Sequence, residues 1–318
     1  MHIVIIGGTG HVGTYLVPRL AEAGHSLTVI TRGQRKPYNS HGAWNNVRLV
    51  SFDRLTEEQA GTFGSKIRDL QPDAVIDMIC FTEESARHLV EALRGQVQYF
   101  LHCSTVWVHG HTTQIPVREE APRRPIGDYG IQKAAIEAYL LSEARRSGLP
   151  AACILPGHIV GPGWVPLNPA ANFNPDVYAR LGRGEVVALP NRGTELVHHV
   201  HADDVAQLFI KALTHWNSAV GESFHAVSPA AMTLRGYAEA VAGWFGQPAR
   251  LEFMPFEAWR NTVSPEDAGA TWGHLEHSPN CYSITKAQRL LEYQPRYTSL
   301  EAIYEAVQAL VKNGVVKI

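Results

Sequence analysis

Six residues, Met1-His2-Ile3-Val4-Ile5-Ile6, lead straight into Gly7-Gly8-Thr9-Gly10-His11-Val12-Gly13. An apolar, β-branched run of this length reads as a buried strand. The glycines at 7, 10 and 13 then make a G-x-x-G-x-x-G turn that opens a helix. Such a turn needs residues without Cβ for chain reversal, for backbone approach to a pyrophosphate and for close helix–strand packing. The start of the helix offers free N–H groups and the positive end of its dipole to the anion. The pattern predicts a dinucleotide-binding βα turn whose contacts are Gly7, Thr9, Gly10, His11, Val12 and Gly13.

A chain of 318 residues suits one large domain, or one with a smaller lobe. Its 28 basic and 30 acidic side chains leave a net charge of −2, so no general field draws it to nucleic acid or to an anionic membrane. Cys80, Cys103, Cys153 and Cys281 are widely spaced and form no C-x-x-C, so buried reduced thiols are expected. The N-terminus carries no basic and apolar leader pattern, and no apolar run approaches ~18 residues. A soluble cytoplasmic protein with no membrane partner is expected.

Strand and helix signals alternate through the first half, which predicts an α/β, doubly wound parallel Rossmann sheet. Strands are expected over 2–6, 26–31, 47–51, 74–79, 98–104 and 151–156, and helices over 12–23, 56–70, 83–94 and 129–147. Pro18 predicts a slight kink in the first helix. Beyond residue 161 the chain turns rich in Pro, Gly and Asn, which is lobe composition, and Asn174-Pro175-Asp176 predicts a short helix to Leu181. Strand texture returns at 196–200 and 222–227, with a helix between them capped by Asp203 and running through 214. Thr298-Ser299-Leu300-Glu301 is a capping box for a final helix. The expected organisation is a dinucleotide-binding domain of 1–160 plus about 196–228, and a smaller C-terminal substrate-binding lobe of about 161–195 plus 229–318.

Tyr129 and Lys133 stand four apart at the start of a helical pattern, on one face and one turn apart. A phenol beside a fixed ammonium ionises more easily and can act as an acid/base near neutral pH. Upstream, Tyr99-Phe100-Leu101-His102-Cys103 runs into the hydroxyls of Ser104 and Thr105. Strand ends are where open α/β sheets place their sites.

Together these elements resemble the extended short-chain dehydrogenase/reductases, the NAD(P)-dependent epimerase/dehydratase family. Thr105 to Gly110 resembles the family's S/T-x-x-V-Y-G, with His109 where Tyr is usual. Leu155-Pro156-Gly157-His158-Ile159-Val160-Gly161-Pro162-Gly163 resembles R-P-x-x-V-Y-G-P-G, and His201-Ala202-Asp203-Asp204-Val205-Ala206 resembles H-V-D-D-V-A. Thr285-Lys286-Ala287 and Tyr293-Gln294-Pro295 resemble S-K-A and L-G-Y-x-P near the end. The resemblance implies that Tyr129 moves a proton to or from a substrate oxygen. It implies further that Lys133 binds the nicotinamide ribose and lowers the tyrosine's pKa, and that Thr105, with Ser104 as its neighbour, binds the reacting oxygen. It places Asp53 at the adenine, Asp77 and Met78 at a cofactor ribose, and Pro156 and His158 beside the cofactor. His158, Trp107, Trp164 and Cys80 are the candidates for substrate contact.

The second strand ends in Thr31-Arg32-Gly33, with Arg35 and Lys36 just beyond. NAD-binding relatives place a carboxylate here; cations without one suit a 2′-phosphate, so NADP is expected, with NAD the alternative. Relatives that take nucleotide-diphospho-sugars usually offer an Arg near Val197, and dehydratases follow the threonine with Asp-Glu, whereas Thr105 precedes Val106-Trp107. These departures favour an oxidoreductase or epimerase of a sugar-like polar molecule over a nucleotide-sugar enzyme using NAD. A non-catalytic, NADP-sensing or RNA-binding relative is the reading from another class, opposed by the intact Tyr129, Lys133 and Thr105. His198, His199 and His201 lack acidic or Cys companions and alternate faces on a strand, so no metal is expected. A small-molecule substrate is the expected partner, and a homodimer the assembly the resemblance allows.

Overall fold

A computed structural model describes residues 1–146 and 148–318. Seven strands form a wholly parallel sheet: β1 (His2–Ile6), β2 (Ser26–Thr31), β3 (Arg48–Ser51), β4 (Ala74–Asp77), β5 (Tyr99–Cys103), β6 (Ala151–Pro156) and β11 (Ser223–Ala226). Their order is β11-β6-β5-β4-β1-β2-β3. The short strands β7 (His158–Val160), β8 (Val187–Pro190), β9 (Leu196–Val197) and β10 (His199–His201) lie outside it. The chain winds outward from β1 to β3, then returns to β4 on the other side of β1, and that reversal opens a crevice at the carboxyl ends of β1 and β4.

The helices are α1 (Gly13–Glu22), α2 (Arg54–Gln59), α3 (Phe63–Arg68), α4 (Glu83–Leu93), α5 (Gly127–Arg145), α6 (Asp176–Gly182) and α7 (Ala202–Thr214). α1 runs uninterrupted through the buried Pro18. The helix expected over 56–70 is two: Gly61 takes φ 68°, a left-handed turn that ends α2 before Thr62 starts α3. The end of the helix expected over 129–147 falls on Ser147, outside the described residues. Ahead of α6 the Asn174 Oδ1 accepts from the Asp176 N–H at 3.0 Å. The strand expected over 196–200 is divided, because Leu196–Val197 pairs antiparallel with Met232–Thr233 while His199–His201 pairs parallel with β7. The cap of α7 is His201, whose Nδ1 accepts from the Asp203 N–H at 3.0 Å; Asp203 itself lies inside the first turn. The capping box closes on both sides, Thr298 Oγ1 accepting from Glu301 N–H and the Glu301 carboxylate from Thr298 N–H.

Two apolar cores hold these elements. One lies on the parallel sheet, where Ile3, Val4, Ile5, Ile6, Val75, Ile76 and Leu101 are fully buried. Each such side chain contributes about 1.5–3 kcal/mol by leaving water. The other joins α6, β8 and the helices Leu234–Trp244 and Ser299–Lys312 around Tyr178, Tyr237 and Trp259. The segment Tyr282–Tyr293 falls in the smaller lobe by the sequence division, yet its buried side chains pack into the first core. Val117 bridges to Tyr282 and draws it there. Among the described residues no helix is long and apolar enough to cross a membrane.

Candidate active site

The glycine-rich turn lies at the sheet reversal. Gly7 takes φ 82°, and a Cβ there would stand 2.6 Å from Ile79 Cγ2. A Cβ on Gly13 would stand 2.0 Å from the Gly8 carbonyl oxygen, so this glycine lets α1 pack on the turn. At Gly10 nothing lies closer than the Gly7 carbonyl oxygen at 3.7 Å. Protein packing does not require glycine there, whereas a group laid against the backbone would. A cavity of about 350 Å³ opens beside the turn, walled by Thr9, Gly10, Thr31, Arg32, Arg35 and Asp53, with Ile79 and Phe81 opposite. Arg32 and Arg35 give it two cationic side chains next to the glycine-rich turn. Lys36 is exposed and not part of this wall.

Asp53 caps α2 through Thr56 N–H at 3.0 Å and stands 3.9 Å from Arg32, both side chains being well exposed. Arg32 therefore faces a carboxylate as well as the cavity. Asp77 departs from its expected role at a ribose. It is 1 % exposed, and both carboxylate oxygens accept from Arg54 Nη1, at 2.8 and 2.9 Å. Arg54 Nε donates to Glu58 at 2.7 Å and to Ser85 Oγ at 3.0 Å, and Asp77 Oδ1 also accepts from Ile79 N–H. Asp77 thus shapes the turn after β4 and offers no free oxygen. Met78 is half-buried and its N–H donates to the Ile6 carbonyl at 3.0 Å, so it extends the sheet pairing. Arg54 was not foreseen; a lone Arg after Asp53 gives no hint of a carboxylate 23 residues away.

Lys133 is 2 % exposed, and its Nζ donates to the carbonyls of Cys80 at 2.7 Å and Cys103 at 2.8 Å. An ammonium has three N–H donors, so one remains for a ribose hydroxyl. Cys80 is therefore used through its backbone: its thiol is buried, points to the Thr82 carbonyl and is pushed up to about 12 by that burial, so it does not meet a substrate. Thr105 caps the turn Val106–Val108, accepting from Trp107 N–H at 3.3 Å. Ser104 continues the β5–β6 pairing through its N–H and keeps a buried, unpartnered hydroxyl.

Tyr129 keeps 44 % of its surface open and meets Trp107 edge-on with 6.2 Å between ring centres. Its phenol is pushed up to about 12, chiefly by burial, with the Thr105 hydroxyl acting in the opposite direction. The expected lowering by Lys133 is not realised here. The ammonium lies 6.0 Å from the centre of the ring, and desolvation of the phenolate prevails.

On the lobe side, Trp107 stacks on His277 at 4.0 Å and 15°, and meets His274 at 5.3 Å and His158 at 6.3 Å edge-on. Pro156 ends β6 just before His158 and is buried. His274 and His277 went unremarked in the sequence, although their spacing of three on a helix was a usable signal. Trp164 takes a different place: its ring stacks on His11 at 3.8 Å and touches Tyr38 at 4.8 Å, above the glycine-rich turn. His11 is pushed down to about 4 by burial, and its Nε2 meets the Tyr38 hydroxyl at 2.9 Å. The ring is thus committed to Tyr38 and Trp164. His198 and His199 are likewise committed, to the carbonyls of Ser228 and Leu167.

Residues 3–226 match the model of the NAD dependent epimerase/dehydratase family. The chain belongs to that family. It is an NAD(P)-dependent enzyme of the extended short-chain dehydrogenase/reductase type. The 2′-dehydrokanamycin reductase of Streptomyces kanamyceticus is 27 % identical over 81 % of this chain and 70 % of its own length. The chloroplast stem-loop binding protein of 41 kDa b from Arabidopsis thaliana is 24 % identical over 96 % of this chain and 78 % of that protein. A UDP-glucose 4-epimerase from Thermotoga maritima, solved with UDP-glucose, shares the fold with a TM-score of 0.75 at 21 % identity, over 98 % of this chain and 99 % of that one.

Proposed function

We propose that this family member is an NADP-dependent oxidoreductase or epimerase acting on a hydroxyl or carbonyl of a sugar-like polar substrate. The observation that carries the reading is the gathering of Tyr129, Thr105 and the buried Lys133 at the carboxyl end of β5, beside the cavity at the sheet reversal. The Tyr129 hydroxyl gives a proton to, or takes one from, the reacting oxygen, and Thr105 holds that oxygen by a hydrogen bond. Lys133, fixed by two carbonyls, turns its third N–H to a ribose hydroxyl. When bound, the nicotinamide supplies or accepts the hydride. Arg32 and Arg35, with Thr31 in place of a carboxylate, support a 2′-phosphate at the adenosine end.

Tyr129→Phe tests this directly, since it removes one oxygen from a partly open ring and leaves the packing against Trp107 unchanged. Turnover in an NADPH-oxidation assay with mixed carbonyl substrates is expected to fall about 10²–10⁴-fold, with cofactor affinity and melting temperature preserved. Near-normal turnover would remove Tyr129 from the reaction. The likeness to a UDP-glucose 4-epimerase motivates a nucleotide-sugar reading with NAD. Val197, buried at 2 % exposure where relatives offer an Arg, stands against it. Micromolar binding of UDP would restore it.

A further inference from the structure

The loop that carries Arg32 and Arg35 runs without helix or strand from the end of β2 to the turn Gly42–Asn46. Residues 32–36 are exposed, and the first covered side chains are Pro37 and Tyr38. A loop left free in this way samples many conformations, and ordering it on a ligand costs affinity. Tyr38 fastens it. Its N–H donates to Thr14 Oγ1 at 3.1 Å on the first turn of α1, and its hydroxyl meets His11 Nε2 at 2.9 Å in the glycine-rich turn. A third hold comes from the loop after β7. The centre of the Trp164 ring lies 4.8 Å from that of Tyr38 and 3.8 Å from that of His11, parallel to the imidazole within 8°. Trp164 is itself fixed, its Nε1 donating to the Ile159 carbonyl at 3.2 Å. At Gly163, with φ 107°, a Cβ would stand 2.6 Å from Tyr38 Cδ1, so glycine is what lets the two segments come this close. Arg35 adds to the burial that keeps His11 neutral, which sets its charge within reach of the cluster.

We propose that Tyr38 and Trp164 are positioning residues for cofactor choice, holding the loop so that Arg32 and Arg35 stand ready at the cavity for a 2′-phosphate. The inference rests on the NADP reading and adds to it two side chains outside the cavity wall. Three residues separate Arg35 from Tyr38, a reach of at most ~11 Å of chain, so the anchor limits where the guanidinium can go. Arg32 has a second restraint in Asp53 at 3.9 Å, which leaves Arg35 the more dependent on Tyr38. A loop fastened beforehand spares the ordering cost when the phosphate binds. Part of the preference is then built by Trp164, from the loop after β7, and not by the glycine-rich turn and the end of β2 alone.

The test is calorimetric titration of the full chain with NADP⁺ and with NAD⁺, each variant checked by its thermal melt. Tyr38→Ala is expected to lower the NADP⁺-over-NAD⁺ selectivity about tenfold, the cost of ordering roughly one more backbone residue, with NAD⁺ affinity nearly unchanged. Trp164→Leu is expected to lower it about threefold, and Trp164→Phe, which keeps a flat ring on His11, to recover most of that loss. In an Arg35→Ala background Tyr38→Ala should add little, because the arginine through which it acts is gone. Equal weakening of both cofactors would reduce Tyr38 to a support of the glycine-rich turn and overturn the proposal. So would unchanged selectivity in both Tyr38→Ala and Trp164→Leu, or full additivity of Tyr38→Ala with Arg35→Ala. A wild type that does not prefer NADP⁺ would remove the NADP reading and this inference with it. A preference that Arg35→Ala abolishes and Tyr38→Ala leaves intact would remove this inference alone.

Discussion

Arg54→Met probes the least expected feature of the site. Asp77 is 1 % exposed and both its oxygens depend on one guanidinium nitrogen, at 2.8 and 2.9 Å. Removing that guanidinium leaves a buried carboxylate unpaired, a change that costs about 3–5 kcal/mol. Glu58 loses its 2.7 Å partner as well, which places the loss at the upper end. Against a total stability of roughly 5–15 kcal/mol, Arg54→Met is expected to be only marginally folded at neutral pH. Adding Asp77→Asn removes the stranded charge while its Oδ1 still accepts from Ile79 N–H. The double variant should then recover about 2 kcal/mol or more over Arg54→Met alone. Urea unfolding of wild type, both singles and the double gives this coupling directly. Because Asp77 shapes the turn that presents the Cys80 carbonyl to Lys133, calorimetry should also show weaker NADP⁺ binding to folded Arg54→Met. A loss under about 1 kcal/mol, or a double variant equal to the sum of its singles, would refute the role of the pair.

Three further outcomes are expected. Gly13→Ala forces a Cβ to within 2.0 Å of backbone and should lower both stability and cofactor affinity, whereas Gly10→Ala, with its nearest atom at 3.7 Å, should melt like wild type yet bind NADP⁺ at least tenfold more weakly; equal melting temperatures for the two variants would contradict this. Thr31→Asp with Arg32→Ala should turn the cofactor preference from NADP(H) to NAD(H), and the wild-type preference should narrow as salt rises; fluorescence titrations with no response to Arg32→Ala would show that this arginine serves Asp53 alone. His198, His199 and His274 are held neutral by burial, at about 4, 3 and 4. Their stabilisation is complete above the unfolded value near 6.5 and is lost as pH falls toward the folded values, at about 1.4 kcal/mol per unit for each. Denaturant midpoints that stay level from pH 7 to 5 would show that these rings are not buried neutral.

What was legible in the chain was what neighbours in sequence decide. The β-branched run before Gly7, the glycine spacing, the Tyr129–Lys133 turn and the Thr298 capping box each fit within one element and its cap, and each takes its expected form. The errors come from partners that only folding brings close. Asp77 ends β4, where the resemblance implies a ribose contact, and Arg54 claims it across 23 residues. Lys133 read as the group that lowers the Tyr129 pKa because the two are a turn apart, yet the carbonyls of Cys80 and Cys103, 53 and 30 residues away, take its ammonium first. Trp107 and Trp164 are both candidates for substrate contact in the sequence; the fold sends one to His277 and the other to His11.

The same long-range pairings divide the site by charge. Arg32, Arg35 and Arg54 line the cavity beside the glycine-rich turn, and the Lys133 Nζ lies 5.0 Å from the centre of the Phe81 ring that also lines it. Across Tyr129 the wall is Trp107 with neutral imidazoles, whose nearest perturbing groups are other histidines and Glu276 rather than lysines or arginines. Cationic side chains therefore gather beside the glycine-rich turn rather than around Trp107. On the proposed reading, the 2′-phosphate of NADP meets Arg32 and Arg35, two exposed side chains at the edge of the cavity.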